Sequence, residues 1–498
     1  MQQPIEVDLA VIGGGINGTG IAMEAARRGL KVLLCEQGDL AEGTSSRSSK
    51  LIHGGLRYLE HGHFRLVREA LSERERLLQM APHLIWPLLF RLPLADSQRP
   101  AWMLRLGLFL YDHLGRRNRL PASRRTRFGD SALHPRYDDG FEYADAWVDD
   151  ARLVVSCARQ AARDGARVLT RHRCSDARRD GSHWRLQLTA SGTPNTTLAV
   201  RAQALVNAAG PWVESCFKDT IKRPSPHPVR LVKGSHLVVP ALSSSPHAYL
   251  LQHPQDQRVV FVLPYETDYS LIGTTEIIHQ GDPATANVSD DEVDYLLQLV
   301  NRHFVRQLGP DDIRHHFAGV RPLLDDRADS LTAISRDYLL ELDAPATEAP
   351  LLSVFGGKLT SFRALAERAL QRLAPHLTTP LREPPERLVL PGGDFDNQRQ
   401  LYRHYRHRYP WLPMRLLRRW VRSYGTEINL LLGDARHLED LGALIGADLY
   451  LRELAWMRQQ EWAHTAEDIL WRRSKLGLRF SAAETSRLIA LLEQPVDL

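Results

Sequence analysis

Gly13-Gly14-Gly15-Ile16-Asn17-Gly18 carries the spacing G-x-G-x-x-G, which suits a loop that must bring backbone against a pyrophosphate. Gly13 permits a tight turn, Gly15 lets backbone approach a phosphate, and Gly18 lets a helix pack closely on a sheet. Glu36 closes the next apolar run, where a carboxylate accepts bonds from ribose hydroxyls. A glycine turn arising by chance is the simpler alternative; the flanking strand, helix and acid argue against it.

Further residues could take part in the same chemistry. The stretch GTSSRSSKLIHGG (43–55) offers Thr44, Ser45, Ser46, Ser49, Lys50, Leu51, His53, Gly54 and Gly55 directly after the second apolar run. Taken alone it could equally be a solvated serine-rich loop. Arg57 and Tyr58 follow the two glycines, which suggests backbone pressed against a flat group with a cation beside it. LVNAAGPW (205–212) ends a strand on a second glycine turn with Ala209, Gly210 and Trp212. VFGGKLTSF (354–362) gives a third turn, with Gly356, Gly357, Lys358, Leu359 and Thr360. A nucleotide site assembled from such distant pieces favours FAD over NAD.

These turns need elements to hold them. VDLAVI (7–12), a helical pattern through Arg28 and KVLLCE (31–36) form a β-α-β unit, hence a parallel sheet. RLVVSCARQAARDGARVLT (152–170) is a helix running into a strand. The runs between 229 and 275 suggest an antiparallel sheet, and 351–374 reads as strand, glycine turn and long helix. The proline-rich stretch 375–393 reads as a linker, and helices dense in Arg and Trp follow it.

Composition bounds the function. The chain has 498 residues, 43% hydrophobic and 25% charged, as expected of a globular protein and not of a disordered one. A net charge of +5 favours anionic small molecules, anionic lipid or nucleic acid without choosing among them. Four scattered cysteines give no metal framework and fit a reducing compartment. No leader precedes the first strand-like run, so a cytoplasmic location is expected. The stretch 102–115 is too short to span a bilayer; a buried helix is the simpler expectation, a helix lying on a membrane the other. The basic run 116–128 could add an anionic-lipid footprint.

TSSRSSKLIHGGLRYLEH, RPAWMLRLGLFLYDHLG, WVDDARLV, GPWV, LVKGSH, GVRPLLDD and SVFGGKLTSFRALAE together resemble the bacterial aerobic, FAD-dependent glycerol-3-phosphate dehydrogenases. The resemblance covers nearly the whole chain. It implies an α/β FAD-binding domain of the glutathione-reductase-like, D-amino-acid-oxidase superfamily type (1–80, 150–228 and 315–375). An antiparallel β substrate domain (81–149 and 229–314) and an α-helical C-terminal domain (390–498) complete the expected architecture. It also implies oxidation of sn-glycerol 3-phosphate, electron transfer to membrane quinone and peripheral attachment to the inner membrane. A homodimer is possible, and neither nucleic acid nor metal is expected. A glycerol-3-phosphate oxidase that reduces O2 is the near alternative; a flavin-bearing nucleic-acid-binding protein using the basic patches is the distant one.

By the same resemblance Arg57 and Tyr58 contact substrate, Arg336 is a phosphate candidate, and Arg321 lies by the flavin and the reacting carbon. The plain alternative for Arg321 is an ion pair with Asp325 or Asp326. Lys358 is expected to face substrate and flavin edge, with Thr360 adding a hydroxyl bond. His236, in KGSHLVV, is the expected proton acceptor, because cations nearby keep an imidazole neutral. Glu276, in GTTE, departs from the family, where aspartate is usual.

Overall fold

The strand β1 (Ile5–Ile12) buries every side chain from Val7 to Val11, as a strand covered on both faces must. A computed structural model describes residues 3–60, 62–97, 99–115, 118–192, 197–255, 258–325, 337–384 and 387–493, with the Arg57 side chain outside that description. β1 runs parallel to β2 (Val32–Cys35) on one side and to Thr197–Asn207 on the other. Arg167–Leu169 and Leu351–Gly356 extend the parallel core outward. The helix α1 (Ile16–Arg27) is buried nearly all round, because the helices Asp150–Arg163 and Phe362–Leu373 pack on it. Among the described residues this sheet has eight strands, including an antiparallel excursion through His172–Asp180 and His183–Ala190.

A second sheet, ten-stranded among the described residues, is mainly antiparallel. Its spine is Val229–Pro240, which pairs with Tyr269–Gly273 and, over ten residues, with His315–Leu324. The expected cofactor segment 315–375 therefore begins with a strand of the other sheet. The unbroken ladder with Val229–Pro240 moves that boundary to the far side of Leu324. Arg321 thereby sits on the substrate sheet, directly opposite Val232.

Helix Ala101–His113 meets neither sequence expectation in full. Leu104, Leu108 and Tyr111 are buried, while Trp102 (68% exposed), Leu106 (51%) and Phe109 (55%) form a second apolar face open to solvent. Three arginines of the basic run after it are paired: Arg119 with Asp396, Arg124 with Glu142 and Arg125 with Asp139. Arg116 and Arg117 lie outside the described residues. The C-terminal unit has its own core, built on Leu416, Leu417, Trp420 and Tyr424 of helix Met414–Tyr424 together with Leu454 and Met457 of helix Leu451–Glu461.

Candidate active site

One cleft of about 1160 Å³ runs between the two sheets, and all three glycine turns open into it. At its nucleotide end Gly13 has φ +113°, and a Cβ there would stand 2.5 Å from the Ala208 carbonyl oxygen. Gly18 faces the Gly13 carbonyl so closely that only hydrogen fits between them. Gly15 supplies no capping side chain, so the positive end of α1 opens toward the cleft. Glu36 accepts the Gly14 N–H at 2.6 Å and the Gly38 N–H at 2.9 Å; burial pushes its carboxyl pKa up against those two bonds.

The third turn closes onto the first. Asn17 Nδ2 donates to the Gly356 carbonyl at 3.1 Å, and a Cβ on Gly357 would meet that amide at 2.7 Å. Asn17 Oδ1 is buried and lacks a hydrogen-bond partner among the described residues, an acceptor aimed at a donor from outside the chain. Helix end, glycine cradle, ribose-seeking carboxylate and orphaned acceptor together fit a dinucleotide cofactor. Ser45 Oγ accepts the Ile16 N–H at 3.0 Å, and Thr44 Oγ1 donates to the Val320 carbonyl. The serine-rich stretch is thus a strap between α1 and the substrate sheet.

Thr44, Ser45, Ser49, Leu51, His53, Gly55, Tyr58, Ala209, Gly210, Trp212 and the run Gly356–Thr360 all line the cleft, as Arg321 does. Ser46, Lys50, Gly54 and His236 do not line it, each for a visible reason. Lys50 is buried in an ion pair with Asp150 at 2.7 Å and donates to the Ser46 carbonyl. Gly54 is glycine because of protein: a Cβ there would meet Leu71 at 2.6 Å and the Tyr111 ring at 2.8 Å. Its N–H donates to Tyr111 Oη, which in turn donates to Asp145. Gly55, at φ +77°, leaves room for the Tyr58 ring. The flat group beside these glycines is therefore a tyrosine on each side.

At the substrate end the Lys358 ammonium stands 4.3 Å from the centre of the Tyr58 ring. Thr360 Oγ1 accepts the His53 N–H at 3.3 Å. Arg321 is 28% exposed, with its guanidinium 3.5 Å from Glu276 and 3.5 Å from Thr274 Oγ1. Asp325 pairs with Arg230, and Asp326 lies outside the described residues. His236 is 1% exposed, stacked on Phe317, with its Nε2 2.9 Å from Ser49 Oγ. Burial, then Arg321 and Lys50, press its pKa well below the usual histidine value. Among the described residues its hydrogen-bond link to the cleft is Ser49. Arg336 lies outside the described residues, as does the Arg57 side chain.

Sequence reasoning missed Asp145 and Thr274, which also line the cleft. The first is one of three acids in the strand Asp139–Val148, and nothing in the sequence set it apart from Glu142; the second carried no signal.

Comparison with known proteins agrees with this geometry. The FAD dependent oxidoreductase family model matches residues 8–360. A glycerol-3-phosphate dehydrogenase of Pseudomonas aeruginosa is 54% identical over 97% of this chain and 94% of its own length. A D-erythritol 1-phosphate dehydrogenase of Brucella abortus is 47% identical over 98% of both chains. The solved glycerol-3-phosphate dehydrogenase of Bacillus halodurans, complexed with FAD, superimposes with a TM-score of 0.72 at 27% identity, covering 95% of this chain and 86% of that one. Cradle, cleft and kinship agree, and the chain belongs to the FAD-dependent oxidoreductase family and, within it, to the glycerol-3-phosphate dehydrogenases.

Proposed function

We propose that the protein oxidises sn-glycerol 3-phosphate at C2 to dihydroxyacetone phosphate and passes the electrons to membrane quinone. The observation that carries the reading is one continuous cleft with a glycine cradle at one end and Arg321 and Lys358 at the other. Bound FAD supplies the acceptor for the C2 hydride. Gly13, Gly15, Asn17, Gly18 and Glu36 hold its nucleotide part, and the run Gly356–Thr360 its other end.

The chain supplies charge, position and a path for the proton. Lys358, with Tyr58 and by family resemblance Arg57 and Arg336, grips the phosphate; planar guanidinium groups suit that task. Arg321 leaves Glu276 to stabilise charge developing on the C2 oxygen. As the hydride leaves C2, the hydroxyl gives up its proton, so negative charge builds on the C2 oxygen beside Arg321. That proton passes to Ser49 Oγ while the serine proton passes to His236 Nε2. The depressed pKa keeps that nitrogen free to accept at neutral pH.

The exposed apolar face of Ala101–His113 supports attachment to a lipid surface, with Trp102, Leu106 and Phe109 entering the headgroup boundary. No helix among the described residues is long and apolar enough to cross a membrane.

Anaerobic addition of sn-glycerol 3-phosphate to the flavin-loaded protein should bleach the flavin, and glycerol should not. The erythritol relative supplies a second reading, so D-erythritol 1-phosphate belongs in the same series; faster bleaching by it would move the substrate assignment. Re-oxidation by a quinone analogue should outpace peroxide formation in air. Dominant peroxide formation would instead mark an oxidase.

A further inference from the structure

We propose that the segment 468–475 of the C-terminal unit is a positioning device for the cofactor loop, acting through the pair Arg473–Asp39. Asp39 is buried in the loop between Glu36 and Thr44, more than 400 residues from Arg473 along the chain. Arg473 grips both of its oxygens, each at 2.7 Å, with neither side chain exposed. Arg472 adds a third bond to Asp39 at 2.6 Å and holds Asp468 at 2.6 Å. Asp468 also accepts from Arg171 at 2.9 Å, and the Arg171 N–H donates to the Gly38 carbonyl at 2.8 Å. The loop is thus clamped from two sides.

What the clamp holds is the back of the cradle. The Ala41 N–H donates to the Gly14 carbonyl at 3.1 Å, and Leu40, with Glu36, fills the space where a Gly14 side chain would stand. Glu36, Glu42, Gly43, Thr44 and Ser45, at the two ends of this loop, line the cleft. The same segment touches two more walls. Trp471 stacks on His315 at 3.7 Å, at the start of the strand that carries Arg321. Lys475 pairs with Asp149, next to the Asp150 that accepts from Lys50 and Ser48.

Stability alone is a poor reason for such a cluster, because desolvating buried charges offsets most of their attraction and apolar packing does as well or better. A bidentate arginine contributes direction. The segment winds as a π-helix, a form that recurs at functional sites and places Arg472 and Arg473 side by side on Asp39. Asp39 and Arg473 are positioning residues. They act on FAD through Ala41, Gly14 and Glu36. The inference rests on FAD as cofactor and not on the identity of the substrate.

The test titrates apo-protein with FAD, following flavin fluorescence, and melts each apo-protein separately. Arg473→Met is compared with the double variant Asp39→Asn, Arg473→Met, which removes both charges and remains measurable if the single variant fails to fold. Arg159→Met is the control: Arg159 docks the same unit through buried Glu427 but holds no residue of the cofactor loop. The double variant should melt near the native temperature yet bind FAD more weakly by roughly tenfold or more, the scale on which supporting partners act on a contacting shell. Arg159→Met should lower the melting temperature and leave FAD affinity unchanged. Unchanged FAD affinity in the double variant overturns the proposal. Equal losses of affinity in the double variant and in Arg159→Met overturn it too, since docking in general would then be the cause.

Discussion

The two ends of the cleft prepare for anions by different means. At the nucleotide end the work falls to backbone: the start of α1 and three glycines. At the substrate end it falls to long side chains, Lys358 over a phenol ring and Arg321 beside a carboxylate. Backbone is fixed by the fold and indifferent to pH. Side chains can change partner, and Arg321 stands 3.5 Å from Glu276 with its own side chain still 28% exposed. A cofactor that stays suits the first design, and a substrate that comes and goes suits the second.

The largest effect that would break this contrast is at Gly13. Gly13→Ala combines positive-φ strain with overlap on the Ala208 carbonyl, together about 3 kcal/mol. FAD binding should weaken roughly 100-fold or more, and the purified protein should be colourless. A yellow Gly13→Ala protein would show that the cradle is not what holds the nucleotide. Next come the cations. Arg321→Met should lower kcat by roughly 100-fold, and Lys358→Met should raise KM for the phosphate ester by about tenfold, both with full flavin content. If Lys358→Met sheds flavin instead, Lys358 belongs to the nucleotide end.

The smallest effect is on acid stability. His236 has its folded pKa below its unfolded value, so its contribution is intact above about pH 6.5 and is lost as pH falls below that, at about 1.4 kcal/mol per unit. His236→Gln should flatten the fall in melting temperature between neutral pH and about pH 5, and it should alter the pH profile of kcat through Ser49. Normal turnover with an unchanged profile would remove His236 from the reaction. Part of the acid slope will persist in that variant, because burial also holds His83 at about 3 and His315 at about 4.

The nucleotide end was legible because its chemistry is local: strand, glycines, helix and acid lie within one short stretch of sequence. Lys358 and Arg321 were legible by resemblance, and the cleft brings both to its walls. What escaped were relations across the fold. Gly54 and Gly55 looked like room for a flat group, yet Leu71 and Tyr111 crowd the first and Tyr58, from the same turn, crowds the second. His236 sat in a strand with the right neighbours, but the inward turn of that strand hides it behind Ser49. The role of Arg473 escaped the sequence because its acid, Asp39, lies 434 residues upstream.

That separation sets an order of events during synthesis. The β-α-β unit emerges first, but the Asn17–Gly356 bond must wait for a residue 339 positions later, and Asp39 waits 434 for Arg473. Until then a carboxylate destined for the interior has no arginine to meet, and the loop behind the cradle stays unlatched. The supports of the cradle are thus complete only when nearly the whole chain has been made.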